Sequence, residues 1–353
     1  MQPLIGYTNE ELSILMLQMK QPAYRGKQVA GWLYHKYVSS IEEMSDIPVN
    51  VREILMETYT VGRAVVSHVD AANDGTAKYL FSLSDDEKIE SVFLPYADRV
   101  SICISTQAGC PAGCVFCATG LGGLARNLTA GEIVDQVLSV QSFHPNHRIS
   151  HVVYMGMGEP LLNYDSVIKS LRILCQEVGI SARRITLSTV GIVPGIIRLA
   201  EEGIPVTLAL SLHAPDDELR ASLIPTARKW KLEEILSACR SYFHSTGRNL
   251  TFEYLMIADI NDSTEQAKRL ADILKGIPGN VNLIPFNHVD TIQGFRRPSR
   301  ERIKAFRDTL EANGRTVTQR MERGRLINAA CGQLAFHAHQ AASRNETLSV
   351  AGL

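Results

Sequence analysis

From Ser101 onward, runs of β-forming residues alternate with amphipathic helical patterns, and this alternation limits the fold more than any other feature of the chain. Strands are predicted over 101–106, 151–155, 184–188, 207–212, 250–256, 281–285 and 317–320. Helices are predicted between them over 132–143, 166–177, 193–202, 233–245, 264–275 and 300–313. Repeating βα units bring every strand back in the same direction, which demands a parallel sheet. Six or so such units predict an α/β fold built on an incomplete (β/α)6-type barrel, with a doubly wound open sheet as the alternative.

Upstream of these units the pattern changes twice. Asn9-Glu10-Glu11 opens one apolar periodic run and Ala23 to Tyr37 carries another, so residues 1–62 are expected to form a small helical domain. Short alternating runs, Tyr79 to Leu83 and Glu90 to Leu94, with an Asn73-Asp74-Gly75 turn before them, predict a β-rich linker over 63–95. The barrel core is expected over 96–326 and a C-terminal segment over 327–353.

The chemically unusual residues fall just after the predicted strands. Cys110, Cys114 and Cys117 follow the first, Gly156-Met157-Gly158-Glu159-Pro160 the second, and Ser188-Thr189-Val190-Gly191 the third. Ser211-Leu212-His213 follows the fourth and Asn287 the sixth. In a barrel, the loops at the carboxyl ends of the strands share one face, so these segments are expected to meet.

Seven cysteines is an odd number, and the chain has no basic, apolar leader and no run of 18 or more apolar residues. A cytoplasmic location is therefore expected, with cysteines acting as thiols, ligands or catalysts rather than as a disulfide framework. Thiolates at i, i+4 and i+7 in a Gly- and Pro-containing loop can hold three corners of an iron–sulfur cube and leave the fourth iron open. The alternatives are a zinc site completed by a fourth ligand, or three unrelated core cysteines. Zinc sites usually use paired C-x-x-C knuckles, and no second knuckle is present. Cys175 and Cys239 sit in apolar-periodic helices and are assigned to packing.

The cysteine spacing, with aromatic Phe116 before the last thiol, resembles the radical-SAM signature, and the Gly158-Glu159 pair resembles the segment that holds the amino group of S-adenosylmethionine (SAM). The similarity runs further, through Pro22-Ala23-Tyr24-Arg25, Ala118-Thr119-Gly120, Arg126-Asn127-Leu128-Thr129, Met155 to Asn163, Ser211 to Pro215, Asn282 to Asn287 and Ala329 to Leu334. Together these segments resemble the RlmN/Cfr family of radical-SAM RNA adenine methyltransferases, and Pro160 resembles its RlmN branch.

The resemblance implies one 4Fe-4S cluster on Cys110, Cys114 and Cys117, two SAM molecules per turnover, and SAM contacts from Gly158, Glu159, Ser188, Ser211, Leu212, His213 and Asn287. It also implies that Cys331 is S-methylated, that Cys103 is its partner thiol and that Glu90 is the acid/base beside the adenine. The implied substrates are 23S rRNA and tRNA, methylated through a 5′-deoxyadenosyl radical, with flavodoxin or ferredoxin as electron donor. Methylation at carbon 2 or at carbon 8 stays open, as does a radical-SAM reaction on a protein or small molecule. One departure is recorded: relatives carry acidic residues before the last segment, where this chain reads Gly324-Arg325-Leu326-Ile327-Asn328.

A formal net charge of −1 means that any RNA-binding surface must be local. Residues 12–41 contain no acid and carry Lys20, Arg25, Lys27 and Lys36 among aromatics, whereas residues 296–325 hold ten Lys or Arg against four acids. Phosphate contact and a solvated helix face are the two readings of each, with Arg296, Arg297 and Arg300 the first candidates for contact.

Overall fold

A computed structural model describes residues 1–287, 292, 294–320, 327, 329 and 332–334. Its main element is a ten-stranded sheet. The strands are β1 (Val65–Ala71), β2 (Ala77–Ser82), β3 (Lys88–Pro95), β4 (Val100–Cys103), β5 (His151–Tyr154), β6 (Ile185–Thr189), β7 (Thr207–Ser211), β8 (Leu250–Met256), β9 (Gly279–Pro285) and β10 (Thr316–Gln319).

Neighbours in the sheet are neighbours in the chain, from β1 to β10 without a reversal. A doubly wound sheet would reverse its order at a switch point, so this progression belongs to a barrel left open. The seven strands β4 to β10 are mutually parallel, as predicted. Helices Ala130–Phe143, Tyr164–Gln176, Val193–Glu201, Leu232–Thr246, Thr264–Ile273 and Arg300–Ala312 fill the crossovers. The β-rich segment supplies β1 to β3, which extend the sheet antiparallel from β4 through the pairs Val92↔Cys103 and Leu94↔Ser101. It thus joins the two domains by becoming one wall of the barrel.

The two faces of the parallel strands differ in chemistry. Val152, Tyr154, Ile185, Leu187, Leu208, Leu210, Phe252, Tyr254, Val281 and Leu283 point outward and are at most 1% exposed in the main core. Most of the alternate positions, among them Ser101, Thr186, Ser188, Ser211, Thr251, Glu253 and Asn282, are polar and face the concave side, which Cys103, Val153, Ala209, Leu255 and Ile284 share. A closed barrel packs such positions with Val, Ile and Leu, whereas here a polar lining leaves an open lumen.

The N-terminal domain is three helices, Asn9–Gln18, Tyr24–Tyr34 and Val49–Thr58. Thr8 caps the first, accepting from Glu11 N while the Glu11 carboxylate accepts from Thr8 N at 2.8 Å. Gly26 lets the first two helices cross closely, since a Cβ there would sit 2.3 Å from Ser13 N. The domain is tied to the barrel by Asn9 N donating to Glu177 and by the Lys169–Glu11 ion pair, both contacts to helix Tyr164–Gln176 or its end. No helix among the described residues is long and apolar enough to cross a membrane.

Candidate active site at the carboxyl ends of the strands

The loops after β4, β5, β6, β7 and β9, with Glu253 and Leu255 of β8, converge on one cavity of ≈ 150 Å³. Nine of the site residues expected from the sequence line it: Cys110, Cys114, Cys117, Gly158, Glu159, Ser188, Ser211, His213 and Asn287. Residues more than 170 positions apart meet there because each follows a parallel strand.

The cysteine loop is braced on several sides. Cys110 N donates to Gly123 O at 2.7 Å, Val115 N to Leu223 O at 3.1 Å, and the Thr226 hydroxyl to Ala112 O at 2.6 Å. Gly120 lies so close to Cys114 that a Cβ would meet its backbone N at 2.9 Å. Around the thiols, Ala112, Ala118, Leu223, Ile224, Leu255, Ile257, Ile284 and Phe286 form a second apolar nest. Phe116 meets the His213 ring edge to face, with centroids 5.0 Å apart, and links this loop to the one after β7.

None of the three thiols is in a disulfide. Burial pushes Cys110 up to about 12 and Cys114 well above the ordinary thiol value, and the neighbouring thiols add to both shifts. Burial in an apolar nest and repulsion between neighbouring thiolates favour the protonated forms of Cys110 and Cys114 until a cation replaces the protons. Among the described residues no group of three His, Cys, Asp or Glu side chains is gathered for a single ion. A cube does not require that, because each thiolate binds a different iron. The thiols and the cavity beside them therefore fit a cluster with one vacant iron.

Glu159 is 2% exposed, and burial raises its carboxyl to about 7. Its Oε2 accepts from Val190 N at 2.7 Å and its Oε1 from Leu161 N at 3.1 Å, while its own N–H donates to Gln107. The carboxylate thus joins the loops after β5 and β6, and does not wait unpartnered for a cofactor. The glycines before it have a similar internal cause. A Cβ on Gly156 would lie 2.7 Å from the Ile104 carbonyl, and one on Gly158, at φ +104°, 2.7 Å from Thr106 Oγ1. Close backbone packing onto residues 104–107 requires these glycines, beyond any approach by SAM. Glu159→Ala leaves two buried N–H groups without acceptors and is expected to destabilise the protein by about 2 to 4 kcal/mol. An unchanged unfolding midpoint in denaturant titration would contradict that role.

His213 adopts φ +59° and is 5% exposed. Its Nδ1 accepts from Leu255 N at 2.9 Å, so the proton of the neutral ring is on Nε2. Burial, with Arg220 nearby, lowers its pKa to about 3 and keeps the ring neutral. Asn287 is 8% exposed, and its Oδ1 has no partner among the described residues. A buried acceptor on a cavity wall is normally satisfied, and a hydroxyl or amino group of SAM would satisfy this one.

Three expected residues lie elsewhere. Leu212 is fully buried and does not line the cavity; its N–H donates to Glu253 O and its carbonyl accepts from Arg220. Cys103 and Glu90 lie on the concave face below the cavity, on β4 and β3. Glu90, which could have been a solvated side chain, is 3% exposed and lies 3.3 Å from Lys78 Nζ. Cys331 falls outside the described residues. Its neighbour in sequence, Gly332, lines the cavity, and the Gly332 carbonyl accepts from Ala118 N at 2.8 Å. The Leu334 carbonyl accepts from Thr119 Oγ1 at 3.0 Å.

Arg220 escaped the sequence reading. It is 1% exposed and donates to the carbonyls of Leu212, Ser211 and Val190, which ties the loops after β6 and β7 together. Glu253 and Arg320 also line the cavity. In sequence a lone Arg in a short helix and a Glu inside a strand look like surface residues, and nothing marks them otherwise.

Of the basic segments, much of 296–320 is paired internally. Arg296 and Arg302 meet Asp259, Arg302 also meets Asp262, and Lys304 and Arg307 pair along their helix with Asp308 and Glu311. Lys36 stacks on Trp32 and Arg25 lies by Tyr24, which is 60% exposed, leaving the N-terminal segment the less neutralised of the two.

Comparison with known proteins matches this arrangement. A family model described as the Radical SAM superfamily covers residues 104–271, and one described as the ribosomal RNA large subunit methyltransferase N-terminal domain covers residues 2–61. A probable dual-specificity RNA methyltransferase RlmN from Symbiobacterium thermophilum is 48% identical over 94% of this chain and 91% of its own length. One of the same description from Nostoc sp. is 48% identical over 94% of this chain and 93% of its own. The crystal structure of a radical SAM methyltransferase from Sphaerobacter thermophilus superposes with a TM-score of 0.91 at 42% identity, covering 95% of this chain and 99% of that one.

Proposed function

The chain belongs to the RlmN family of radical-SAM RNA methyltransferases, which use a 4Fe-4S cluster and SAM, and from that premise we propose that it methylates carbon 2 of adenine 2503 in 23S rRNA and of adenine 37 in tRNAs. The observation that carries this reading is the convergence of nine expected site residues on one cavity, with Cys103 and Glu90 on the same concave wall.

Cys110, Cys114 and Cys117 would hold the cluster, and Gly158, Glu159, Ser188, Ser211, His213 and Asn287 would surround SAM, with Leu212 fixing the turn between Ser211 and His213. When bound, the cluster and SAM supply a methyl group and, by one-electron cleavage of a second SAM, a 5′-deoxyadenosyl radical. Carbon 2 of adenine lies between two ring nitrogens and is too electron-poor to attack a methyl sulfonium itself. The protein answers this with Cys331, whose sulfur takes the methyl group; the carbon, after losing one hydrogen atom, bonds to carbon 2. Glu90, held by Lys78 in an ion pair at 3.3 Å, accepts the proton that leaves carbon 2. Cys103 then loses its proton to solvent and bonds to the Cys331 sulfur as the carbon–sulfur bond breaks; the freed carbon takes back the proton held on Glu90 and the one unpaired electron of the adduct would return to the cluster, which releases methylated RNA and leaves a disulfide to be reduced. The apolar nest around the cysteine loop keeps water from the reacting atoms. Such an oxygen-sensitive site, acting on RNA, fits a reducing cytoplasm and a small electron-transfer protein such as flavodoxin or ferredoxin as donor.

Anaerobic reconstitution with SAM and reductant, followed by nucleoside mass spectrometry of added rRNA and tRNA, tests the proposal. The expected product is 2-methyladenosine in both. A methyl group at carbon 8, or SAM cleavage unaffected by RNA with no methylated nucleoside, would contradict it.

A further inference from the structure

The half-barrel has a second opening, at the amino ends of the parallel strands, and its walls are basic. A concavity of ≈ 420 Å³ there is lined by Arg99, Arg183, Arg184, Arg320 and His151, with Asp98 the one acid among the lining residues. Arg99 lies 3.2 Å from that carboxylate and Arg320 lies by Glu253 of the active-site cavity, which leaves Arg183 and Arg184 as the excess positive charge of the mouth. Arg183 and Arg184 end a short turn (Ala182–Arg184) that leads into β6, and both are exposed. The charges converge: after burial, Arg99 and Arg184 are the next causes holding His151 below its ordinary value.

This opening lies on the same concave wall as the active-site cavity. Arg320 lines both. Val153 and Thr186 line the lower opening, while Met155 and Ser188, two residues further along the same strands, line the upper cavity. Two residues of strand rise about 7 Å, so a path of about that length along the concave wall would take a ligand from the basic rim to the active-site cavity. Ser101 stands at the rim, and Cys103, two residues on, lies beside that path. A polar, open-sided lumen with cations at one end and reactive sulfurs at the other fits a ligand with anionic links and a base to insert.

Resting on the RNA-methyltransferase reading, we propose that the target RNA enters the half-barrel at this amino-end mouth. Arg99, Arg183 and Arg184 hold phosphodiesters flanking the target nucleotide, and the unstacked base passes Cys103 towards the cavity. An acidic electron-donor protein is the rival occupant of a basic mouth. It is disfavoured here because the cysteine loop lies at the opposite ends of the strands. The Arg300–Ala312 helix is a weaker candidate for phosphate contact, since Lys304 and Arg307 are already ion-paired along it.

The test compares reconstituted full-length wild type, Arg183→Gln/Arg184→Gln and the helix variant Lys304→Gln/Arg307→Gln, binding an rRNA hairpin that contains the target adenine across a salt series. Each lost phosphate contact should reduce the slope of log K against log salt by about 0.7 to 0.9. The rim variant should therefore bind at least about tenfold more weakly at low salt with a shallower slope, and the helix variant should match wild type. Cluster absorbance should be the same in all three. Wild-type affinity and slope in the rim variant, or RNA binding intact while cluster reduction by flavodoxin slows, would overturn the proposal. If wild type itself failed to bind the hairpin, the function proposed above would fall and take this inference with it, an outcome distinct from a failure confined to the rim variant.

Discussion

Cys331→Ala is expected to lose methyl transfer from SAM to RNA by at least about a thousandfold, equivalent to about 4 kcal/mol or more of activation free energy, while its iron content stays at the wild-type level. The reason lies in the acceptor. An electron-poor ring carbon offers no nucleophilic route to the methyl sulfonium, so the methyl carbon must first be attached to something that can present it as a radical. In the proposed reaction a thioether on the protein does this, and alanine cannot form one. The proposed cluster ligands, Cys110, Cys114 and Cys117, are on the loop after β4. Gly332 places the adjoining backbone at the cavity through its carbonyl contact to Ala118 N, which alanine at the preceding position leaves possible. Label from SAM counted in RNA, beside iron analysis of the same preparation, checks both halves. Substantial transfer by the Ala variant would exclude the thioether route.

The second large effect concerns the cluster ligands. Cys114→Ala should abolish both SAM cleavage and RNA methylation, because the remaining two thiols supply only half of the ligands of a cube. Cys114 is 8% exposed and enclosed by Leu223, Ile224 and Ile257, so solvent ligands have little access to take its place. Iron and sulfide content after anaerobic reconstitution should fall to background. Cys239→Ala is the control, since Cys239 is fully buried in helix Leu232–Thr246 and packs with the main core. It should keep its cluster and lose only the stability that a small buried side chain contributes. Full iron loading of Cys114→Ala would disprove the assignment of the three thiols.

Much of the fold was legible because the barrel strands carry an unambiguous apolar face. Ile185 and Leu187, or Leu208 and Leu210, alternate with residues small and polar enough to line a lumen, and each strand is followed by an amphipathic helix. Position after a strand then sufficed to gather Cys110, Glu159, Ser188, His213 and Asn287 before any coordinates. Legibility stopped where long-range pairing decides a residue's environment. The burial of Glu90 follows from the pairing of β3 with β2 and β4, and an extended segment considered alone gives no sign of its partners. Gly156 and Gly158 announced a tight backbone, but what they abut is the protein's own 104–107 segment. Arg220 is the clearest case. Its carbonyl partners are 8 to 30 residues away and none is a charged side chain, so no pattern of charges could have pointed to it.

The basic patches teach a similar lesson. The ten cations of 296–325 stood out by count, yet Asp259 and Asp262, distant in sequence, neutralise part of that surface. Arg99, Arg183, Arg184 and Arg320 are scattered along the chain and become one rim only when the strands align.

With only three proposed thiolate ligands, one iron of the cube would be left for SAM. Electron paramagnetic resonance of the reduced, anaerobically reconstituted protein tests this directly, recorded without SAM, with SAM, and with SAM labelled at its amino nitrogen. A reduced 4Fe-4S signal whose g-values shift on adding SAM, with hyperfine coupling to the labelled nitrogen, is the predicted result. A cluster signal indifferent to SAM, or a preparation that binds zinc and forms no cluster, would contradict it.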